Sequence, residues 1–275
     1  MKKNLATKSE INRILAEYDL KARKKYGQNF ICEPAITAAI TEGISRQNKI
    51  IEIGCGLGSL TQALAQKASQ VRSYEIDPDL AAVCRQELSE YENLEVMVQD
   101  FRKVDLTEML RELGAHTLIV SNLPYYITSE LMEKLLLTGC QADGIIAMMQ
   151  KEAGERFIKG RQARGYGPLA VLARQFTDIS VLTQVNRHNF IPEPEVDSIV
   201  LRFDFHPTVL DREEFYQLVK AGFSQRRRYL ISNLRKAGYM ADEALLEKLG
   251  LDPKSRPEEL DEQDYKRLYE EIGHD

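Results

Sequence analysis

The chain has 275 residues and a formal net charge of −5, with four cysteines. At about 100–200 residues per domain this length suits one large domain plus a small one. Cys32, Cys55, Cys84 and Cys140 form no CxxC pair and have no histidine at metal-ligand spacing, which argues against a zinc site or a disulfide framework and fits a reducing cytosol. No apolar run approaches the ~20 residues that span a bilayer, and the polar N-terminus carries no signal-peptide pattern, so a cytoplasmic protein with no membrane partner and no metal is expected. The acidic total argues against a polyanionic partner only until its distribution is read. Lys21, Arg23, Lys24 and Lys25 cluster before a glycine, Arg226, Arg227 and Arg228 form an unbroken triplet, and the acids gather in the last thirty-odd residues. Local sign outweighs the net total because phosphate attraction fades within a Debye length of about 8–10 Å.

In chain order, Thr7 to Glu10 has capping-box spacing, and Ile11, Ile14, Leu15 and Tyr18 continue at helical intervals. A second helical pattern follows Pro34. From Lys49 onward, strand and helix patterns alternate: strand 49–53, helix 60–68, strand 71–76, helix 79–88, strand 94–98, helix 106–113, strand 117–120, helix 129–137 and strand 144–150. Such alternation predicts right-handed βαβ units and a mostly parallel sheet with helices on both faces. "MMQKEAGERFIKGRQARGYG" reads as a loop near the active rim carrying Lys151, Arg156, Lys159, Arg161 and Arg164. Pro168 to Phe176 reads as a helix, and 179–184 and 198–205 as strands of an antiparallel edge. Beyond His206 only helices are expected, at 211–223, 226–237, 241–249 and 262–271, which gives domains 1–206 and 207–275, the second small and all-α.

Chemistry gathers where the predicted strands end. In "IEIGCGLGSLT", Gly54, Gly56 and Gly58 permit a tight turn and close approach to a ligand at a helix N-terminus. Glu75, ending the next strand in "VRSYEIDPDL", is placed to accept from a ribose diol, which fits a dinucleotide as well as any other adenosyl cofactor. "VMVQDF" puts Asp100 and Phe101 where an adenine edge and face would lie, and the following strand ends in Asn122-Leu123-Pro124-Tyr125. Each element has a plainer reading, as a turn or a solvated acid. Four consecutive strand ends on one carboxyl rim favour a ligand site.

G-x-G-x-G, the two strand-end acids and N-L-P-Y together resemble the Rossmann-like methyltransferases that use S-adenosylmethionine to methylate an exocyclic amine. Asn122 with the carbonyl of Leu123 or Pro124 would accept both hydrogens of an adenine N6, aiming its lone pair at the sulfonium methyl, while Tyr125 stacks on the base. Extending the comparison, "RKKYGQNFI", "EIGCGLGSLT", "NLPYYIT", "MMQKEAGERF", "GYGPLAVLARQF", "FIPEPEVDSIVLRF" and "FSQRRRYLISNL" are similar, in order, to the KsgA-type ribosomal RNA small-subunit adenine dimethyltransferases. That resemblance implies dimethylation of two adjacent adenosines in a hairpin loop near the 3′ end of 16S rRNA, within the assembling 30S subunit. It also implies cofactor contacts at Asn29, Ile31, Gly54, Glu75, Asp100 and Asn122. Cys55 stands where the family usually has proline, and Tyr126 where many members have asparagine.

The basic clusters are expected to meet RNA phosphate: Lys21 to Lys25 beside the cofactor segment, Arg226 to Arg228 at the start of a helix. No oligomer interface is legible, so a monomer is expected. Two alternatives stand beside this reading. One is the 23S rRNA adenine methyltransferase of the macrolide-resistance type; "GQNF" and "YGPL" favour the small-subunit enzyme. The other is a non-catalytic RNA-binding assembly factor, against which the intact Gly54, Glu75, Asp100 and Asn122 speak.

Overall fold

The computed structural model describes residues 3–23 and 27–272. Helix α1 (Lys8–Glu17) is capped by the Thr7 side chain and buries Ile11 and Ile14. The short strand β1 (Phe30–Ile31) and α2 (Pro34–Ile40) lead into the alternating core: β2 (Lys49–Ile53), α3 (Ser59–Lys67), β3 (Gln70–Glu75), α4 (Pro78–Glu87), β4 (Leu94–Val98), α5 (Leu106–Leu113), β5 (Thr117–Asn122), α6 (Thr128–Thr138) and β6 (Gly144–Gln150). After α7 (Lys151–Lys159) and α8 (Pro168–Phe176) come β7 (Thr177–Val185), β8 (Phe190–Ile191) and β9 (Ser198–Phe205). Then only helices follow: α9 (Arg212–Gly222), α10 (Leu230–Lys236), α11 (Glu243–Lys248) and α12 (Glu262–Ile272).

The sheet runs β4-β3-β2-β5-β6-β9-β7. Strands β2 to β6 pair in parallel and β9 lies antiparallel to β6. The expected mixed sheet with a late antiparallel edge is therefore present. β2 and β5 are buried at nearly every position because helices cover both faces. The strand order reverses direction between β2 and β5, which opens a crevice at their carboxyl ends.

Two compact units emerge, but not from a single cut at His206. One comprises Met1–Lys151 with Ser180–Asp204, the other Glu152–Ile179 with Phe205–Asp275. The physical reason lies in α8, whose apolar side chains need helical neighbours. Within the second unit, Phe176 of α8 meets Phe215 of α9 edge-on at 5.3 Å, Phe215 meets Tyr269 of α12 at 5.7 Å, and Arg174 makes paired 2.9 Å bonds to Glu262.

Two local expectations change, and one strand pairing is new. Residues 151–159 are helix rather than loop, because Phe157 is completely buried and Glu155 pairs with Lys159 one turn on. The arginine triplet does not start a helix: Tyr229 is extended (φ −62°, ψ 144°), α10 begins at Leu230, and the triplet lies on the preceding turn. Strands β1 and β8 pair antiparallel, Phe30 with Ile191 and Ile31 with Phe190, tying the "GQNFI" segment to "FIPEPE".

Candidate active site

The carboxyl ends of β2 to β5 open into a cleft of about 960 Å³, part of it open to solvent. Asn29, Ile31, Gly54, Gly56, Glu75, Asp100, Asn122, Leu123, Pro124 and Tyr125 all line it. The sequence-predicted cofactor and base residues are thus brought together.

Gly56 has φ +53°, and a Cβ there would lie 3.2 Å from the Phe30 ring, so the loop needs glycine for both conformation and space. Glu75, only 7% exposed, holds this loop: one carboxylate oxygen accepts from the Gly56 N–H and the other from the Asp77 N–H, both at 3.0 Å. Burial pushes the Glu75 carboxyl up, while those two N–H groups pull it back. Each oxygen keeps acceptor capacity for a ligand hydroxyl.

Asp77 accepts from both Arg23 (2.9 and 3.0 Å) and Gln28 (3.1 Å), and Arg23 also reaches Asp79 at 2.6 Å. Arg23 is therefore engaged by two carboxylates, with its side chain 41% exposed. Lys21 is exposed; Lys24 and Lys25 lie outside the described residues.

Asp100 caps the turn after β4 and is gripped by the Arg102 guanidinium at 2.7–3.1 Å, which holds its carboxyl below the usual carboxylate range. Phe101 is buried, edge-on to Tyr74 at 5.3 Å. Beneath this turn, Lys134 of α6 donates to the carbonyls of Phe101 (3.1 Å), Arg102 (2.9 Å) and Val104 (2.5 Å).

At the other end of the cleft, Asn122 Nδ2 donates to the Asn29 carbonyl at 3.1 Å. A carbonyl only accepts, so this bond fixes the amide orientation and leaves Oδ1 with no donor among the described residues. The Pro124 carbonyl accepts from Ile127 N–H (3.2 Å) and the Thr128 hydroxyl (3.0 Å), whereas no described group donates to the Leu123 carbonyl. Of the two carbonyls left open by the sequence, Leu123 is the one with capacity to spare. Tyr125 is half-buried, its hydroxyl 2.8 Å from Ser198 Oγ; Tyr126 is 51% exposed at the mouth.

Behind the glycine loop, Glu52 is fully buried, and neither carboxyl oxygen has a hydrogen-bond partner among the described residues. Burial pushes its carboxyl up to about 7, with the nearby Ser73 and Thr61 hydroxyls opposing the shift. Glu52, Gln28, Arg102, Lys134 and Ser198 were missed in the sequence. Glu52, Gln28 and Ser198 fall inside quoted motifs, whereas Lys134 has no local signal.

In the second unit, Arg226 donates to the Tyr166 carbonyl at 2.8 Å, while exposed Arg227 and Arg228 have no acidic partner among the described residues. Among the described residues no cluster of acids, cysteines and histidines could hold a metal ion, and no helix is long and apolar enough to cross a membrane.

The profile of the family described as ribosomal RNA adenine dimethylase matches residues 19–274. The chain belongs to that ribosomal RNA adenine dimethylase family. A protein of Staphylococcus haemolyticus named ribosomal RNA small subunit methyltransferase A is 36% identical over 98% of this chain and 96% of its own length. The protein of that name in Geobacillus thermodenitrificans is 37% identical over 98% and 97%. Among solved structures, a dimethyladenosine transferase from Plasmodium falciparum is similar at TM-score 0.72 and 25% identity, covering 86% of this chain and 94% of its own. The 23S rRNA methyltransferase ErmE is similar at TM-score 0.70 and 27% identity, over 88% and 98%. As a ribosomal RNA adenine dimethylase, the protein is an S-adenosylmethionine-dependent methyltransferase whose substrate is ribosomal RNA. The cleft suits that cofactor: the Gly54–Gly56 loop leaves room that a Cβ would fill, and the Glu75 and Asp100 carboxylates face it.

Proposed function

We propose that the protein methylates N6 of two adjacent adenosines in a hairpin loop near the 3′ end of 16S rRNA, giving N6,N6-dimethyladenosine, and that it acts as a cytoplasmic monomer on the assembling 30S subunit. The observation that carries this reading is the pair of open acceptors, Asn122 Oδ1 and the Leu123 carbonyl, beside Tyr125 at the mouth of the cofactor cleft. Support for the small-subunit target comes from the names of the relatives at 36–37% identity, against 27% for the 23S enzyme.

In this reading Glu75 would accept from the cofactor ribose and Asp100 from its adenine, with Asn29, Ile31, Gly54 and Gly56 forming the walls. Bound S-adenosylmethionine supplies a methyl group already activated on a sulfonium, so the chain needs no strong base. Its work is orientation. Adenine N6 is a poor nucleophile because its lone pair is delocalised into the ring; accepting both N–H groups at Asn122 Oδ1 and Leu123 O favours a pyramidal nitrogen with the lone pair free. The Asn29 carbonyl keeps the Asn122 amide in the accepting orientation, and Tyr125, anchored by Ser198, stacks on the extracted base. Extraction costs a few kcal/mol unless the base is already unstacked. Lys21, Lys24, Lys25, Arg227 and Arg228 would serve phosphate.

The test is methyl transfer from labelled cofactor to under-methylated 30S subunits, with nucleoside analysis of the product. Dimethyladenosine in 16S rRNA is expected. Transfer to 23S rRNA alone would favour the macrolide-resistance reading, and cofactor binding without any transfer would favour a non-catalytic assembly factor.

A further inference from the structure

Tyr126 is not used by the mechanism above, yet it lines the same cleft next to Tyr125 and is 51% exposed. One edge of its ring lies against Gly27: a Cβ on that glycine, which has φ +59°, would sit 3.4 Å from Tyr126 Cδ1 and 3.9 Å from Cε1. The backbone there thus supports the phenol at close range without a side chain in between. The two tyrosines differ in burial, since Tyr125 is half-buried and tied to Ser198 while Tyr126 stands at the mouth.

We propose that Tyr126 is a second base platform, a stacking site for the unpaired nucleotide adjacent to the adenosine held at Tyr125. The proposal rests on the RNA-adenine reading of the cleft. An RNA strand that delivers one base to Tyr125 brings its covalently linked neighbour to the cleft mouth. Flipping the target also strips that neighbour of a stacking partner. An exposed aromatic ring replaces the lost stack and accepts any base, because every base has a π-face. When the adjacent adenosine takes its turn in the pocket, the strand shifts by one nucleotide and the next base along takes the platform, which is possible because stacking accepts any base. Its ligand is therefore a single-stranded nucleobase, and its location is continuous with the target-base loop Asn122–Tyr125.

Two arms test this with the full chain. A short single-stranded RNA carrying 2-aminopurine beside an adenosine reports stacking as fluorescence quenching, independently of methyl transfer. Tyr126→Ala is expected to weaken quenching and binding about tenfold, equivalent to about 1.4 kcal/mol, with Tyr126→Phe within about twofold of wild type because the ring is kept. In steady-state assays on under-methylated subunits, Tyr126→Ala should raise KM for RNA while leaving kcat and the affinity for S-adenosylhomocysteine unchanged. Wild-type quenching by Tyr126→Ala, a fall with Tyr126→Phe as large as with Ala, or a loss of cofactor affinity would each overturn the platform. Absence of methyl transfer by the wild-type protein would instead overturn the catalytic reading, and the quenching comparison would still decide the stacking site.

Discussion

The two halves of the cleft are built on opposite plans. In the cofactor half the protein braces itself: Glu75 holds the glycine loop and the Asp77 turn, Arg102 grips Asp100, and Lys134 gathers the carbonyls of the turn after β4. In the base half, acceptors are aimed but left open, at Asn122 Oδ1 and Leu123 O, and one aromatic ring is exposed. A braced half suits a ligand that returns unchanged in shape at every turnover. An open half suits one that must be pulled from a larger structure, held briefly and exchanged.

The largest expected effect comes from removing an open acceptor. Asn122→Ala should lower kcat by about 10²–10³-fold, the scale seen when one aimed hydrogen bond to a reacting group is lost, with a smaller change in cofactor affinity by calorimetry. An equal loss in both would erase the distinction between the halves. A smaller effect is expected from unbracing: Lys134→Met strands the carbonyls that Lys134 gathers and should weaken S-adenosylhomocysteine binding about tenfold. Its kcat at saturating cofactor should stay near wild type, and Lys134→Arg should recover part of the affinity. If Lys134→Met lowered kcat but not affinity, the lysine would belong to the base half.

The smallest effect on turnover is expected at Glu52, which reads out as stability. Its carboxyl is pushed from 4.5 up to about 7 in the folded state, so the fold disfavours ionisation. Well below pH 4.5 the group is neutral in both states and contributes nothing to the pH dependence. As pH rises toward about 7 the unfolded chain ionises first, and the native state loses stability relative to it. Glu52→Gln should therefore gain stability over wild type as pH rises between those limits and keep that gain above them, roughly 1–3 kcal/mol at pH 8. Urea midpoints at pH 4.5, 6 and 8 check this; a constant difference would point to packing rather than titration.

The strand-end motifs were legible in the sequence because each depends on a local pattern: apolar residues forming a strand, then the polar residue that ends it. Glu75, Asp100 and Asn122 needed only the parallel register of their strands to converge. The ion pairs of Arg23 were not legible because its partners Asp77 and Asp79 lie 54 and 56 residues away, and no local spacing announces an ion pair at that range. Lys134 was invisible for a related reason, since backbone carbonyls leave no mark on composition. The α7 region looked like a loop because Gly154 and a dense run of charges surround a single buried anchor, Phe157. At the arginine triplet every residue tolerates a helix, and the extended backbone at Tyr229 decided the boundary.

The short β1–β8 ladder also orders events in time. Asn29, whose carbonyl steadies the Asn122 amide, precedes a strand whose partner is Phe190–Ile191, and the next residue on, Cys32, donates to the Asn189 carbonyl at 2.9 Å. A nascent chain interrupted before residue 189 would already hold every strand-end motif, yet its Asn29 segment would lack the strand that pins it. The Asn29 wall of the cleft is thus pinned only by a strand made about 160 residues later in the chain.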